Sequence, residues 1–462
     1  MTTRSKDIPR REAGIDRSKA PEPRVSSKDF MGNRYTSREF MELEWERMWT
    51  RVWMVGGLVA QLPEQGDYIT HQFGRESILM IRGFDNKIRA FYNICQHRGN
   101  LLTTSEEGSV VSDGTIQCAY HGWKWNADGA LVHVEDSHDF LEGNPCDHLR
   151  LNEIPCDTWA GMVWFNMDNN GLPLRDFLAP MTDQLDSYEI EKMTRTDWVT
   201  MELECNWKVV QDNFNESYHV RIVHPEARFF LDDRIENTQF DLYPNGHCRM
   251  LMPGGAPGPT VESIDELPNY VRSELKFWEL DVEDYRGRDL AQMRYDLWAQ
   301  KRRLGTSKGF DFSRYSDEQL TDNYHYTLFP NLTLSMKPDG IIWLRAEPHP
   351  TDPGKCLFDM WNFQLFPQDG SSIYNKNMQK LVNKDYQAEH IVGKQGEVSV
   401  GPGIDQDVSI WTTQQAGLAS QGFYRPVFAN QERRIPFHHD VIDRYLFGGD
   451  NVEQYGQRKT AP

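Results

Sequence analysis

Nowhere in the 462 residues is there an apolar run long enough to cross a bilayer as a helix, which takes roughly 18–20 residues. The N-terminus carries no short apolar segment behind a basic one, so no secretory leader is expected and the chain reads as cytoplasmic. Positive charge is also scarce. Lys and Arg total 50 against 69 Asp and Glu, a net charge of −19. That balance argues against nucleic acid or an anionic membrane as a partner, and the absence of a basic cluster disfavours a polyanionic substrate. Cysteine is sparse and odd in number, seven in all. Such usage is poor for a disulfide framework and suits a reduced protein with a few ligand cysteines.

Aromatic residues are plentiful at 12%, with 14 Trp, as an aromatic core or apolar pocket requires. The length suits two domains. Residues 1–35 are rich in Arg, Lys, Pro and Ser and read as an extended arm, either free or laid over a neighbouring subunit. From Ser37 to Val52 an amphipathic helix is predicted, with Phe40, Met41, Leu43, Trp45, Met48, Trp49 and Val52 on its buried side; residues 36–50 are assigned to the larger domain. Strand-like runs separated by Gly, Asp and Asn turns then place a small antiparallel β domain at 51–165, and the remainder, 166–462, forms a second domain.

Inside the β domain, Cys95-Gln96-His97 is followed after twenty residues by Cys118-Ala119-Tyr120-His121. Structural zinc modules pair Cys with Cys and His with His at each knuckle. A Cys-x-His knuckle mated to Cys-x-x-His instead suits a Rieske [2Fe–2S] cluster, two cysteines on one iron and two histidines on the other. Gly99, Gly122, Tyr120, Trp123 and Trp125 would let the loops approach and shield such a centre. Cys146, Cys156, Cys205, Cys248 and Cys356 have no such pairing and read as packing residues.

Asn206 to His224, NWKVVQDNFNESYHVRIVH, reads as a helix capped by Asn206. Trp207, Val210, Phe214 and Tyr218 make its apolar stripe, and Asp212, Glu216 and His219 a polar one. His219 and His224 stand about 140° apart on an ideal helix, and Pro225 disfavours helix at His224, so an unwound stretch is expected between them. Two histidines at a helix end with a carboxylate from elsewhere is the ligand set of a non-haem iron site; a partly buried polar helix is the alternative. The carboxylate is sought in DQDVSIWTTQQAGL, residues 405–418. Asp407 shares a helical face with Ile410, Trp411, Gln414 and Leu418, whereas Asp405 lies nearly opposite and is placed to be an N-cap.

Taken together, CxH…CxxH followed by NWKxxxDNxxExYHxxxxH resembles the α (oxygenase) subunit of Rieske non-haem iron ring-hydroxylating oxygenases, over about residues 35–448. The resemblance implies an α+β chain: a small antiparallel β Rieske domain and a helix-grip catalytic domain, an antiparallel sheet with long helices. It implies one [2Fe–2S] cluster on Cys95, His97, Cys118 and His121, and one mononuclear Fe(II) on His219, His224 and Asp407, whose following Gln415 and Leu418 match the family spacing. The gap between the two knuckles is a few residues longer than the family pattern, as an insertion in LLTTSEEGSVVSDG explains. Electrons are expected from NAD(P)H through a separate reductase, perhaps with a ferredoxin, since the chain has no nucleotide or flavin motif. They would cross between subunits of a homotrimer, with or without a small β subunit, from His121 to a bridging Glu216. Asp212 and Asn213 flank the iron or the bridge, or are structural. His325 and His349 read as core or loop histidines, and no ligand role is expected for His438 or His439.

Many ring dioxygenases carry Asp at the bridge, and Glu is a departure found in relatives acting on quaternary amines and other substrates. The leading expectation is hydroxylation, in particular dihydroxylation, of an aromatic or other apolar ring with O₂. The alternative is a Rieske monooxygenase or demethylase. A non-catalytic electron carrier is the third reading, and it would have no use for Glu216, His219, His224 and Asp407.

Overall fold

The computed structural model describes residues 32–110, 113–367, 370–375 and 380–448. Of the expected N-terminal arm, residues 1–31 lie outside the described residues. Its last part is not extended: Asn33–Thr36 form a short helix, α1, directly before α2, Arg38–Arg47. The predicted helix thus stops at Arg47, and Trp49–Arg51 tighten into a 3₁₀ turn. The chain divides into two compact units, 32–41 with 178–447, and 42–177 with Gly448. The dividing point falls inside α2 because Trp45 and Trp49 pack against Phe73 of the smaller unit, so residues 36–50 do not belong wholly to the larger one.

The smaller unit is built from short strands, every pair antiparallel. Trp53–Leu58 (β1), Asp67–Phe73 (β2), Glu76–Arg82 (β3), Ile88–Tyr92 (β4) and Glu107–Ser109 (β5) precede Thr115–Gln117 (β6), Lys124–Asn126 (β7) and Leu131–His133 (β8). Glu153–Ile154 (β9), Cys156–Trp159 (β10) and Met162–Asn166 (β11) complete it. They form sheets ordered β5-β2-β3-β4-β9, β1-β11-β10 and β6-β7-β8. Leu79, Phe91, Ile116, Trp123, Trp125 and Leu131 gather into the apolar cluster that also buries Cys95 and Cys118.

After Leu174–Leu178 (α3) and Met181–Leu185 (α4), the larger unit wraps helices over one face of an eight-stranded sheet. Its strands are Thr194–Leu203 (β12), Gln239–Leu242 (β13), Cys248–Met252 (β14), Asn323–Leu328 (β15), Leu332–Lys337 (β16), Gly340–Pro348 (β17) and Cys356–Gln364 (β18). A separate hairpin, Ile373–Asn375 (β19) and Lys380–Val382 (β20), leads to the last sheet strand, His390–Lys394 (β21). The order is β13-β14-β15-β16-β17-β18-β12-β21, antiparallel except that β12 and β21 run parallel. Register puts Met250, His325, Ser335 and Thr327, Thr333, Leu344, with Phe358, on one face. Across that face lie Trp207–Phe214 (α5) and, after a one-turn helix at Val220–Val223 (α6), Pro402–Leu418 (α9) and Arg434–Phe447 (α10); Asn269–Phe277 (α7) and Gln292–Leu304 (α8) come between in sequence. Phe214 and Trp411 both pack on Phe358, which seats α5 and α9 on the sheet. The helix expected at 283–303 begins only at Gln292. Before it, Asp281 and Asp289 satisfy nearby backbone N–H groups with their own carboxylates, which competes with helix formation. No described helix is long and apolar enough to cross a membrane, and all seven cysteines are free thiols.

On the opposite sheet face Arg249 and Asp241 are fully buried as a pair, Nε and Nη2 of the guanidinium donating to Oδ2 at 2.9 and 2.6 Å. Removing one partner strands the other charge in the core. Asp241→Ala should destabilise the protein by about 3–5 kcal/mol in urea unfolding, and a loss below about 1 kcal/mol would show that Arg249 has another counter-charge.

Candidate iron centres

The two knuckles of the smaller unit adopt the same turn. Cys95 donates its N–H to Asn100 O and accepts at its own O from Gly99, and Cys118 repeats this with Trp123 and Gly122, at 2.8 and 3.1 Å in both. The fifth residue of each turn has φ of +74° (Gly99) or +71° (Gly122), a left-handed conformation that costs glycine little. The sulfurs lie inside the aromatic cluster, where burial, and less so Cys118, raises the Cys95 thiol pKa. The histidines lie outward: the rings of His97 and His121 are 4.5 Å apart, His97 stacks on Trp123, and Tyr120 covers His121. Nδ1 of His97 is buried with no hydrogen-bond partner among the described residues, an open position that a metal would fill. Two buried thiols and two adjacent imidazoles fit a [2Fe–2S] group of Rieske type.

In the larger unit Asn206 caps α5 as expected, its side chain accepting from Lys208 N at 3.0 Å. The helix ends sooner than its stripes suggest, at Phe214. Asn215 and Ser217 are fully buried and bond tertiary partners instead, Asn215 Oδ1 accepting from Thr327 at 2.7 Å and Ser217 Oγ from Gln431. Tyr218, expected on the apolar stripe, is therefore 59% exposed. The unwinding lies before His219, and the one turn of α6 stands between the histidines. Glu216 organises the unwound stretch. Its carboxylate accepts from the backbone N–H groups of Tyr218 and His219 and from Nδ1 of the His219 ring.

His219, His224 and Asp407 converge, with ligand atoms all within 4.8 Å of one another. Asp407 Oδ1 is 3.0 Å from His224 Nε2 and 3.4 Å from His219 Nε2. Nδ1 of His224 is held by Gln406 Oε1 at 2.6 Å. Each ring thus spends Nδ1–H on an oxygen acceptor and turns Nε2 to the common point, the orientation a metal-binding histidine needs. Burial opposes the charged form of His219, but Asp407 and Glu216 outweigh it and raise the pKa to about 10. Burial likewise works against the Asp407 carboxylate, yet the two histidines hold its pKa below the ordinary value. Protons on Nε2 thereby occupy the place of a cation, and a two-histidine, one-carboxylate donor set fits non-haem Fe(II). Asp405 is elsewhere. Helix α9 starts at Pro402 behind Gly401, so Asp405 is not the N-cap; it accepts from Ser399 Oγ and Val400 N.

A second buried cluster adjoins this one. Asp212 accepts from Tyr35 Oη at 2.5 Å and lies 3.1 Å from His439 Nε2. Burial lifts the Asp212 carboxyl to about 7. His438 joins them within metal-ligating distance, but the charges of Lys208 and Arg34 bear on the cluster and oppose a further cation. A recess of about 580 Å³ is lined by Tyr35, Asp212, Asn213, Glu216 and His219. Asn213 Nδ2 is buried there without a partner among the described residues. Sequence reasoning missed Tyr35, Gln406 and His439. Gln406 could have been found as the residue before the candidate ligand Asp407; Tyr35 and His439, far away in sequence, carry no local signal.

Residues 190–448 match the family model described as "Ring hydroxylating alpha subunit (catalytic domain)", and 52–151 match the Rieske [2Fe–2S] domain. The carnitine monooxygenase oxygenase subunit of Acinetobacter pittii is 33% identical over 278 residues, 53% of this chain and 73% of that protein. The glycine betaine monooxygenase oxygenase subunit of Pseudomonas aeruginosa is 30% identical over 194 residues, 42% of this chain, so the match spans only 44% of that protein's length. Among solved structures, the quaternary ammonium Rieske monooxygenase CntA with L-carnitine superposes with TM-score 0.63 at 20% identity, covering 93% of this chain and 99% of that one. Naphthalene 1,2-dioxygenase from Rhodococcus sp. superposes with TM-score 0.59 at 17% identity, covering 91% and 94%. The chain belongs to the ring-hydroxylating α-subunit family of Rieske oxygenases, whose cofactors are a [2Fe–2S] cluster and a mononuclear iron.

Proposed function

We propose that this chain is the terminal oxygenase of a Rieske monooxygenase system acting on a small amine or quaternary ammonium compound, with electrons delivered from NAD(P)H by a separate reductase. The observation that carries the reading is the position of one carboxylate: Glu216 holds Nδ1 of the ring whose Nε2 meets Asp407. In this reading Cys95, His97, Cys118 and His121 hold the cluster, and His219, His224 and Asp407 hold the iron. When bound, the cluster supplies single electrons and the iron binds and activates O₂ beside the substrate. Glu216, whose carboxylate holds the His219 ring, is the entry point for electrons. His121, under the 53%-exposed Tyr120, is the exit from a second copy in a homotrimer. Inter-subunit electron transfer is described for a quaternary ammonium Rieske monooxygenase. Asp212 and Asn213 act as positioning residues in the recess beside Glu216.

Monooxygenation is preferred over the expected ring dihydroxylation because the carnitine and glycine betaine relatives are monooxygenase subunits. Glu216, rather than Asp, and the net charge of −19 favour a cationic substrate as well.

The purified protein should be brown and carry about three irons per chain; zinc without visible absorbance would overturn the cluster assignment. Glu216→Gln should keep both iron centres and lose coupled product formation by about 10- to 100-fold, and normal turnover in that variant would remove Glu216 from the electron route. Asp212 gives a pH signature. A carboxyl raised from 3.8 to about 7 on folding stabilises the fold fully below pH about 4, and that stabilisation is lost as pH rises through about 7. Across this window the wild type should lose up to about 4 kcal/mol relative to Asp212→Asn in urea unfolding, and the opposite slope would mean that Asp212 is ionised.

A further inference from the structure

The recess beside Glu216 has the lining of a groove for extended chain. One side of α9 contributes Ile410, Gln414, Gly417 and Leu418 at helical spacing. Gly417 is helical, so no left-handed turn calls for glycine there, and a Cβ in its place would meet nothing within 4 Å. Glycine weakens a helix; here it leaves bare backbone that another segment can approach closely. Phe423, Pro426 and Val427 add an apolar rim, with Val427 86% exposed. Nδ2 of Asn213 adds an unspent donor, the complement of a backbone carbonyl. The charged lining is acidic: Asp212, Glu216 and Glu432 are present, and among the described residues no Lys or Arg lines the recess. Glu432 accepts from Ala429 N and has no cationic partner among the described residues. Burial, opposed by the Ala429 N–H and reinforced by the charge of Glu216, raises its pKa. Such a carboxyl is best relieved by a cation.

The N-terminal arm joins the larger unit at this place. Gly32 accepts from Tyr35 N at 3.0 Å, and a Cβ on it would run into Leu418 O and stand 3.4 Å from Phe423. Leu418 and Phe423 both line the recess, so the chain before Gly32 starts from its rim. The arm also has the complementary charge. Residues 1–31 carry eight Lys and Arg against five Asp and Glu, in a chain of net charge −19. In VSSKDFM, residues 25–31, Lys28 and Phe30 fall on one side of an extended segment and Asp29 on the other. Four extended residues counted back from Gly32 reach about 13 Å, more than the width of a compact recess of about 580 Å³.

We propose that residues 25–31 of the same chain lie in this recess, with the Lys28 ammonium beside Glu432 and the Phe30 ring on Phe423 and Val427. Laid there, the arm passes close over Gly417 and covers the opening beside Glu216. The proposal goes beyond the oxygenase reading and does not depend on it, because the recess, Gly32 and the arm keep their chemistry whatever reaction the iron centre serves. The competing occupants are the arm of a second copy and a small cation.

The test uses the purified full-length protein. A water-soluble carbodiimide, which joins an amine to a carboxylate only in direct contact, should link Lys28 to Glu432 in the single-chain band of a denaturing gel, as read by peptide mass spectrometry. Chymotrypsin cleavage after Phe30 is timed in parallel. Lys28→Glu and Glu432→Lys should each speed that cleavage by about 10-fold, and the two together should bring it back toward the wild-type rate. Glu432→Gln, which keeps an acceptor for Ala429 N–H, should also speed it, by a smaller factor and with the wild-type Tm, and it carries the test if a charge-reversed variant fails to fold. A Lys28–Glu432 link found only in a double-mass band would give the recess to the arm of a second copy and overturn the proposal. No link at all, or equal cleavage in every variant, would leave the recess to a small cation and overturn it as well.

Discussion

Two hydrogen bonds decide what the larger unit can bind. Glu216 on Nδ1 of His219 and Gln406 on Nδ1 of His224 fix both rings so that their Nε2 atoms meet at Asp407. Without them an imidazole could present either nitrogen and rotate about its bond to Cβ, and three good donors would share no focus. The remaining structure can be read as support for these two contacts. The break in α5 frees Glu216 from helical geometry, so one carboxylate can cap two backbone N–H groups and still reach the ring. Asn215 and Ser217 keep that break in place by bonding Thr327 and Gln431 rather than continuing the helix.

The same economy appears at the helix that carries Asp407, the proposed third ligand. Gln415, two turns beyond Asp407, accepts from Asn206 N at 3.0 Å and donates to Tyr35 O at 3.2 Å. One carboxamide therefore ties α9 to the cap of α5 and to α1. The aromatic stack of Phe214, Phe358 and Trp411 holds both helices against the sheet. The placing of His219, His224 and Asp407 is thus set by polar contacts where the three meet and by apolar packing below them.

Much of this was legible in the chain. The two Cys–His knuckles and the paired histidines of 206–224 are local patterns whose chemistry follows from residue type and spacing, and the alternating apolar residues of 322–334 mark β15 and β16. What could not be read depends on distant partners. Periodicity continued the apolar stripe to Tyr218, because nothing in the local sequence shows that Asn215 and Ser217 have buried partners on other elements. The Asp405 and Asp407 positions separated on helical phase, but the helix start did not, since Gly401 and Pro402 begin it one turn earlier than the acidic run suggested. The Tyr35–Asp212–His439 cluster brings together three segments that no local rule connects.

That cluster also bears on how the chain comes together in time. The smaller unit is inserted between Met41 and Leu178 of the larger one, so the larger unit is assembled from segments made far apart in synthesis. Tyr35 must find His439, 404 residues later, and Arg34 must find Asp443, 409 residues later. At about 5–20 residues per second, the first segment waits some 20–80 s for its partners to leave the ribosome. The contacts of α1 therefore wait for α10, the last described helix, while the whole of the inserted unit is made in between.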